Sequence, residues 1–426
     1  MKEDLLQFIW QHSLYQPAGL ATTTGEPLTV VYPGVLNRHS GPDFSAAKIR
    51  IGDTLLAGAV EMHLRSSDWN RHAHSTDAAY KSVVLHVVLE DDLPNAAPGI
   101  PVLVLASHIP ETVVARYGDL IGTPDPLPCA HQHQQVSGIV KSAWLIRMVS
   151  QRWERRFAEY ESRLHALRGD FAALLYERLA AGLGFKVNGE AFGRLAQQTP
   201  LSILLKNRDK LPTLEALLFG QSGLLPENST EPYVQTLKDE YGYLQHKYSL
   251  QPLAAHEWKF LRMRPANFPT IRMAQLASLI HYLGDRLPAL LDSANASEAV
   301  AKLQVPVSDF WRCHATFKEG KSHVPQDKTL GRSSAENLVF NVLAPLRYFR
   351  AAHSGNSQER ERAEAFLDSL PPEKNSIIAH FTATGWKPRN ASEAQGMLEL
   401  YHFYCSRKDC LRCSVGLKIL RSAPVK

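Results

Sequence analysis

Two acids and a histidine stand near one another early in the chain, where Gly41-Pro42-Asp43-Phe44 leads into one extended segment and Val60-Glu61-Met62-His63 lies in the next. Carboxylate oxygens and imidazole nitrogens ligate divalent cations, and an imidazole with an ordinary pKa of roughly 6.5 can also take a proton from an attacking water. Just downstream, residues 66–77 place His72 and His74 two positions apart among Asp68 and Asp77. That stretch either adds to a metal site or is a polar loop whose Asp77 caps a helical turn.

A second constellation lies near the end of the chain. Cys405, Cys410 and Cys413 follow a C-x4-C-x2-C spacing and make up three of the five cysteines. Thiolates so closely spaced suit zinc or an iron–sulfur cluster better than disulfides in a reducing compartment. With His402 three residues before Cys405, the expected site is a structural Zn2+ held by His402, Cys405, Cys410 and Cys413, with an iron–sulfur cluster as the alternative. Cys129 and Cys313 are rivals for the fourth position, and reduced thiols at a helix end explain the same residues without metal. The third constellation, residues 258–272, interleaves arginines and aromatic residues ahead of a helix start marked by Asn267 and Pro269. Arg262, Arg264 and Arg272 are candidates to hold the phosphates of nucleic acid, and internal pairing with acids is the competing explanation.

The elements that must position these groups follow from composition and pattern. A chain of 426 residues, 44% hydrophobic and 21% charged, supports two or three domains and excludes a disulfide-stapled or disordered chain. No apolar run approaches the roughly 18–20 residues of a membrane helix, and the N-terminus, with two acids after Lys2, does not read as a secretory signal. No membrane association and a cytoplasmic location are therefore expected. Charge divides unevenly: residues 1–130 carry 8 basic against 14 acidic side chains, and the remainder 39 against 28. The basic part is where a polyanion would bind. The division expected is an α/β domain over 1–130, ending near the proline-rich residues 123–128, and a larger helical domain with the cysteines over 131–426. Segments 142–167, 170–183, 271–291, 335–351 and 359–370 have the helical period.

Within 1–130 the order reads helix, strand, hairpin, short helix, strand. Alternation over Ala47–Ile51, a turn at Gly52-Asp53 and renewed alternation to Leu64 place Glu61 and His63 on one strand face, and 83–89 reads as a strand buried on both sides. His86, inside that strand, is a core histidine or points into the same cleft. A two-residue turn sets Asp43 opposite Met62, on the face away from Glu61; a longer turn or a bulge at Gly58 sets it opposite His63. A catalytic site requires the shifted register.

The Pro42-Asp43 … Glu61-x-His63 arrangement and this element order resemble the restriction-endonuclease-like PD-(D/E)xK nuclease superfamily over about residues 1–92. The resemblance implies a mixed-sheet fold, Mg2+ or Mn2+ held by Asp43 and Glu61, and His63 in the position of the family's lysine, which helps position or activate water for phosphodiester hydrolysis in DNA or RNA. Histidine instead of lysine leaves open a non-catalytic nucleic-acid-binding or scaffold protein with a degenerate nuclease fold. Residues 41–44, 60–63, 67–69, 219–225, 262–272 and the final cysteine segment together resemble an uncharacterised bacterial family known only as a domain of unknown function, which implies no activity. The sequence leaves the oligomeric state open.

Overall fold

The computed structural model describes residues 1–317 and 324–422. The chain gathers into two compact units. The first comprises residues 1–144 and 383–386 with the described residues from Leu400 onward; the second comprises the described residues of 145–382 and 387–399. The first is a mixed α/β sheet unit and the second is mostly helical. The boundary follows Trp144, and the cysteine segment folds with the sheet, whereas a division at 130/131 assigns it to the helices.

Helix α1 (Glu3–Gln11) buries Leu5, Leu6, Phe8, Ile9 and Trp10 and carries Glu3 and Asp4 in its first turn, where the helix dipole favours acids. The sheet consists of β1 (Leu28–Tyr32), β2 (Val35–Leu36), β3 (Phe44–Ile51), β4 (Thr54–Arg65), β5 (Val83–Glu90) and β6 (Val102–Val104). Its order is β1-β3-β4-β5-β6, with β2 also pairing with β3. β1, β3 and β4 pair antiparallel, whereas β5 is parallel to β4 and β6 parallel to β5. A parallel pair needs a crossover; between β4 and β5 it is short, made of α2 (Asp68–Arg71) and the 3-10 turns His74–Thr76 and Ala78–Ser82. Phe44, Ile49, Val60, Met62, Leu85 and Val87, which the pairing puts on one face, are fully buried, and so are His63, His86 and Val88 on the other, so the centre of the sheet is covered on both faces.

Gly58 is not the site of a bulge in β4. A Cβ there would stand 2.5 Å from the Ser82 carbonyl oxygen, so glycine is what lets the returning crossover lie against the strand. After β6 come α3 (Glu111–Gly122) and, at the far end of the chain, the helix Ser414–Arg421, which packs on α3.

In the second unit, Phe171–Leu183, Phe185–Gln198, Leu211–Gln221, Pro232–Tyr248 and Pro269–Leu283 are the principal helices, around a core that includes Leu174, Phe192, Phe219, Trp311 and Tyr348. The long periodic segments are interrupted where the backbone demands it. The 271–291 segment leaves the α-helix at Gly284, which takes φ 50°, and continues as a 3-10 turn. The 335–351 segment opens into a π turn, Val339–Leu343, just before Pro345, a residue that cannot donate a backbone hydrogen bond. Among the described residues, no helix is long and apolar enough to cross a membrane.

Candidate functional site

The position of Asp43 depends on an irregularity in β3. Along the hairpin Ile51 pairs with Thr54 and Ala47 with Gly58, but the next pair is Phe44 with Val60. The extra residue is accommodated at Ser45-Ala46, where Ala46 adopts φ 56°. The register therefore shifts in the direction opposite to that of a bulge in β4, and Asp43 comes level with Glu61, not His63. Its backbone N–H donates to Glu61 Oε2 at 3.0 Å. Its carboxylate accepts from the Met62 N–H at 3.0 Å and from Gln7 Nε2 on α1 at 2.8 Å.

Glu61 and His63 share one face of β4, and the parallel register sets His86 of β5 beside Glu61. Glu61 Oε1 lies 3.5 Å from His63 Nε2 and 3.3 Å from His74 Nε2. His63 Nδ1 is 2.9 Å from His86 Nε2, and His63 Nε2 is 3.2 Å from His72 Nδ1. One ligand nitrogen from each of His63, His72 and His74 falls within a common span of 4.8 Å. The crossover supplies this second half of the nest: Arg65 N–H donates to Asp68, Ser66 and Ser67 bind Asp92, and Asp77 caps the turn at Ala79. Trp69 packs against His74 and His86, and Tyr80 stacks on His74 with ring centroids 3.8 Å apart.

Glu61, His63, His74 and His86 are buried, while His72 is exposed and forms the opening. Burial sets the electrostatics. Desolvation, then the neighbouring Asp43, pushes Glu61 up to about 8; desolvation alone is the main cause that lifts Asp43 to about 6. The same loss of water pushes His63 down to about 3 and His86 to about 4, and lowers His74. At neutral pH the histidines therefore offer uncharged nitrogens and Glu61 retains a proton. The buried His74 Nε2 and His86 Nδ1 have no hydrogen-bond partner. Converging imidazole nitrogens with a carboxylate, one of them unsatisfied, fit a divalent cation, which would supply the missing positive charge.

The chain matches a family described as protein of unknown function (DUF2851) over residues 3–376. It belongs to that family. No curated protein and no solved structure matches the chain. The family match includes Asp43, Glu61 and the histidine nest, whereas the cysteine segment lies beyond its last residue.

Two other expected sites look different in the structure. Arg272 is 3% exposed. Its guanidinium donates to Gln275, Asn267 and Ser334 and lies over the Phe185 ring, and desolvation lowers it to about 10. It is a buried component of the second unit, so its assignment as a phosphate contact is corrected; Arg262 and Arg264 are exposed. At the C-terminus Cys405, Cys410 and Cys413 are buried and in no disulfide, but His402 is exposed on the last turn of the helix Ala391–Phe403, and among the described residues the group of three or more ligand atoms within 4.8 Å is that of His63, His72 and His74, not the cysteines. Gln7 and Tyr80 had no signal in the sequence: a polar residue on a helix and an aromatic residue in a loop look alike whether or not they border a site.

Proposed function

We propose that the first unit is a metal-dependent hydrolase of phosphodiester bonds in DNA or RNA, related to the PD-(D/E)xK nucleases. The observation that carries this reading is the convergence of Asp43, Glu61, His63, His72 and His74 on one face of the β3–β4–β5 sheet. An α-helix, three antiparallel strands, a short helical crossover and a parallel strand support the kinship. Mn2+ suits the nitrogen-rich donor set better than Mg2+, which prefers oxygen ligands throughout. When bound, the cation would polarise a phosphoryl oxygen and lower the pKa of water. Glu61 and the histidines would hold it, His86 would orient His63 through Nδ1, and Asp43 would fix the Glu61 carboxylate through its backbone N–H. Beside Asp43 a cleft of about 400 Å³ is lined by Gln7, Asn37, Arg38 and Arg412, with Asp4 and Asp409 also in its wall, and gives a strand a place to lie. Exposed Arg262 and Arg264 of the second unit remain candidates for backbone phosphates.

The burial of His63, at 1% exposure, favours a second reading: a nucleic-acid-binding or scaffold protein that keeps the nest as a structural network. Purified full-length protein incubated with single- and double-stranded DNA and RNA plus Mn2+ or Mg2+ separates the two. Hydrolysis that falls by at least about 100-fold in Glu61→Ala supports the enzyme; equal hydrolysis in both preparations defeats it, and binding without hydrolysis selects the second reading.

A further inference from the structure

The second unit buries a cation among neutral groups. Arg272 ends the first turn of the helix Pro269–Leu283 and is 3% exposed. Its Nη1 donates to Gln275 Oε1 at 2.9 Å, and its Nη2 to Asn267 Oδ1 at 2.7 Å and to Ser334 Oγ at 3.0 Å. The Phe185 ring lies against it, with the guanidinium carbon 4.9 Å from the ring centroid, and Phe185 sits at φ 49°, which a bulky side chain rarely adopts. Three of the five guanidinium N–H groups are thereby used, and the buried Nε has no partner.

A buried guanidinium is ordinarily matched by an anion. Elsewhere in the same unit Arg155 and Arg163 pair with the buried Glu399 and Glu177. Among the described residues no carboxylate pairs with Arg272, and the first turn of its helix, where the dipole disfavours a cation, contains no acid. The side chains that hold Arg272 also line an open cleft of about 520 Å³, together with Lys328 and Thr329. Gln275 Nε2 donates to the Lys328 carbonyl at 2.8 Å, and Lys328 Nζ to the His314 carbonyl at 2.7 Å, so a second cation is fixed at this cleft. Asp327, also in the lining, is exposed and accepts from the Thr329 N–H at 2.9 Å. Asn267 and Ser334 offer Arg272 only their oxygens, which leaves the amide N–H groups of one and the hydroxyl proton of the other to donate to a ligand.

We infer that this cleft binds the oxyanion head group, a carboxylate or a phosphate, of a small organic molecule, with Arg272 as its counter-charge. Both head groups accept from guanidinium, hydroxyl and amide donors. The volume is that of a small-molecule site, and Ile271 and Ala315 give the organic body of the ligand an apolar wall. A nucleic-acid backbone lying along the surface does not reach a guanidinium at this depth, whereas a molecule small enough to enter the cleft does. The site lies within the second unit, and the inference is independent of whether Glu61 supports hydrolysis.

Full-length protein is titrated calorimetrically, at constant ionic strength, with inorganic phosphate, glycerol phosphate, acetate and succinate. Saturable binding with a Kd of about 1 mM or tighter supports the site, and the series that binds, phosphates or carboxylates, says which head group it takes. Asn267→Asp puts a carboxylate of the same shape against Arg272 Nη2 and so supplies the missing anion from the chain itself; it should weaken binding at least about tenfold. Arg272→Gln should weaken it as much. No saturable binding of any of the four probes by the wild type, or unchanged affinity in Asn267→Asp, overturns the inference. Should Arg272→Gln not fold, Asn267→Asp, which keeps the guanidinium and its packing, decides alone.

Discussion

Two regions of the first unit bury side chains of ligand type, and they differ in kind: among the described residues, three ligand atoms gather within 4.8 Å at His63, His72 and His74 and not at the cysteines. On the sheet, a glutamate pushed to about 8 sits among imidazoles pushed to about 3 and about 4, with the exposed His72 at the opening. At the C-terminus the thiols of Cys405, Cys410 and Cys413 are buried and raised together. Unlike groups forced together separate their proton affinities, which is what acid–base work and an exchangeable cation need. Like groups buried together are all displaced in one direction, towards the neutral form. Burial alone thus does not tell a reactive site from a structural one; the mixture of donors does.

The contrast can be broken at either nest. The largest effect is expected at the cysteines: Cys405→Ser should lower the melting temperature of the full-length protein by about 5–10 °C, corresponding to a few kcal/mol in a unit of this size. Thermal unfolding followed by circular dichroism measures it, and an unchanged transition would make the thiols ordinary core residues.

A smaller effect of opposite sign is expected at the sheet. Without metal, Glu61 binds its proton more tightly folded than unfolded, so its contribution to stability is full below about 4.5 and is lost as pH rises to about 8. His63 and His86 are depressed, so their contribution is present above about 6.5 and lost as pH falls towards 3 to 4. Chelator-treated protein should therefore be most stable near pH 6 to 6.5 and decline on both sides. Glu61→Gln should remove the alkaline decline and leave the acidic one. Urea melts between pH 4 and 8.5 read this directly; an alkaline slope that survives Glu61→Gln would mean that another group carries it.

Much of this arrangement was legible in the sequence. Alternation identified β3 and β4 and put Glu61 and His63 on one face, and the apolar run at 83–89 identified β5. The histidines of 66–77 were visible as ligand types. The register was not, because the bulge that brings Asp43 level with Glu61 sits at Ser45-Ala46, and an alanine in the left-handed region gives no signal of the kind Gly58 appeared to give. The surroundings of His402 were misread for a related reason. His402 is near Cys405 in sequence but lies at the exposed end of a helix, whereas the three thiols are buried, and which way a helix-end residue faces is set by packing that no local spacing encodes. Arg272 was read from its charge, and only the packing of Asn267, Gln275 and Ser334 around it shows that it faces inward.

The central claim, that the sheet nest is a divalent cation site, is tested most directly by calorimetric titration of Mn2+ into wild-type protein and Glu61→Gln at pH 7 in buffers of different ionisation enthalpy. The account predicts binding of one ion per chain at the sheet, accompanied by release of about one proton as Glu61 ionises, and at least about tenfold weaker affinity in Glu61→Gln with no proton released. Equal Mn2+ affinity in the two proteins, or no binding by the wild type, would contradict it.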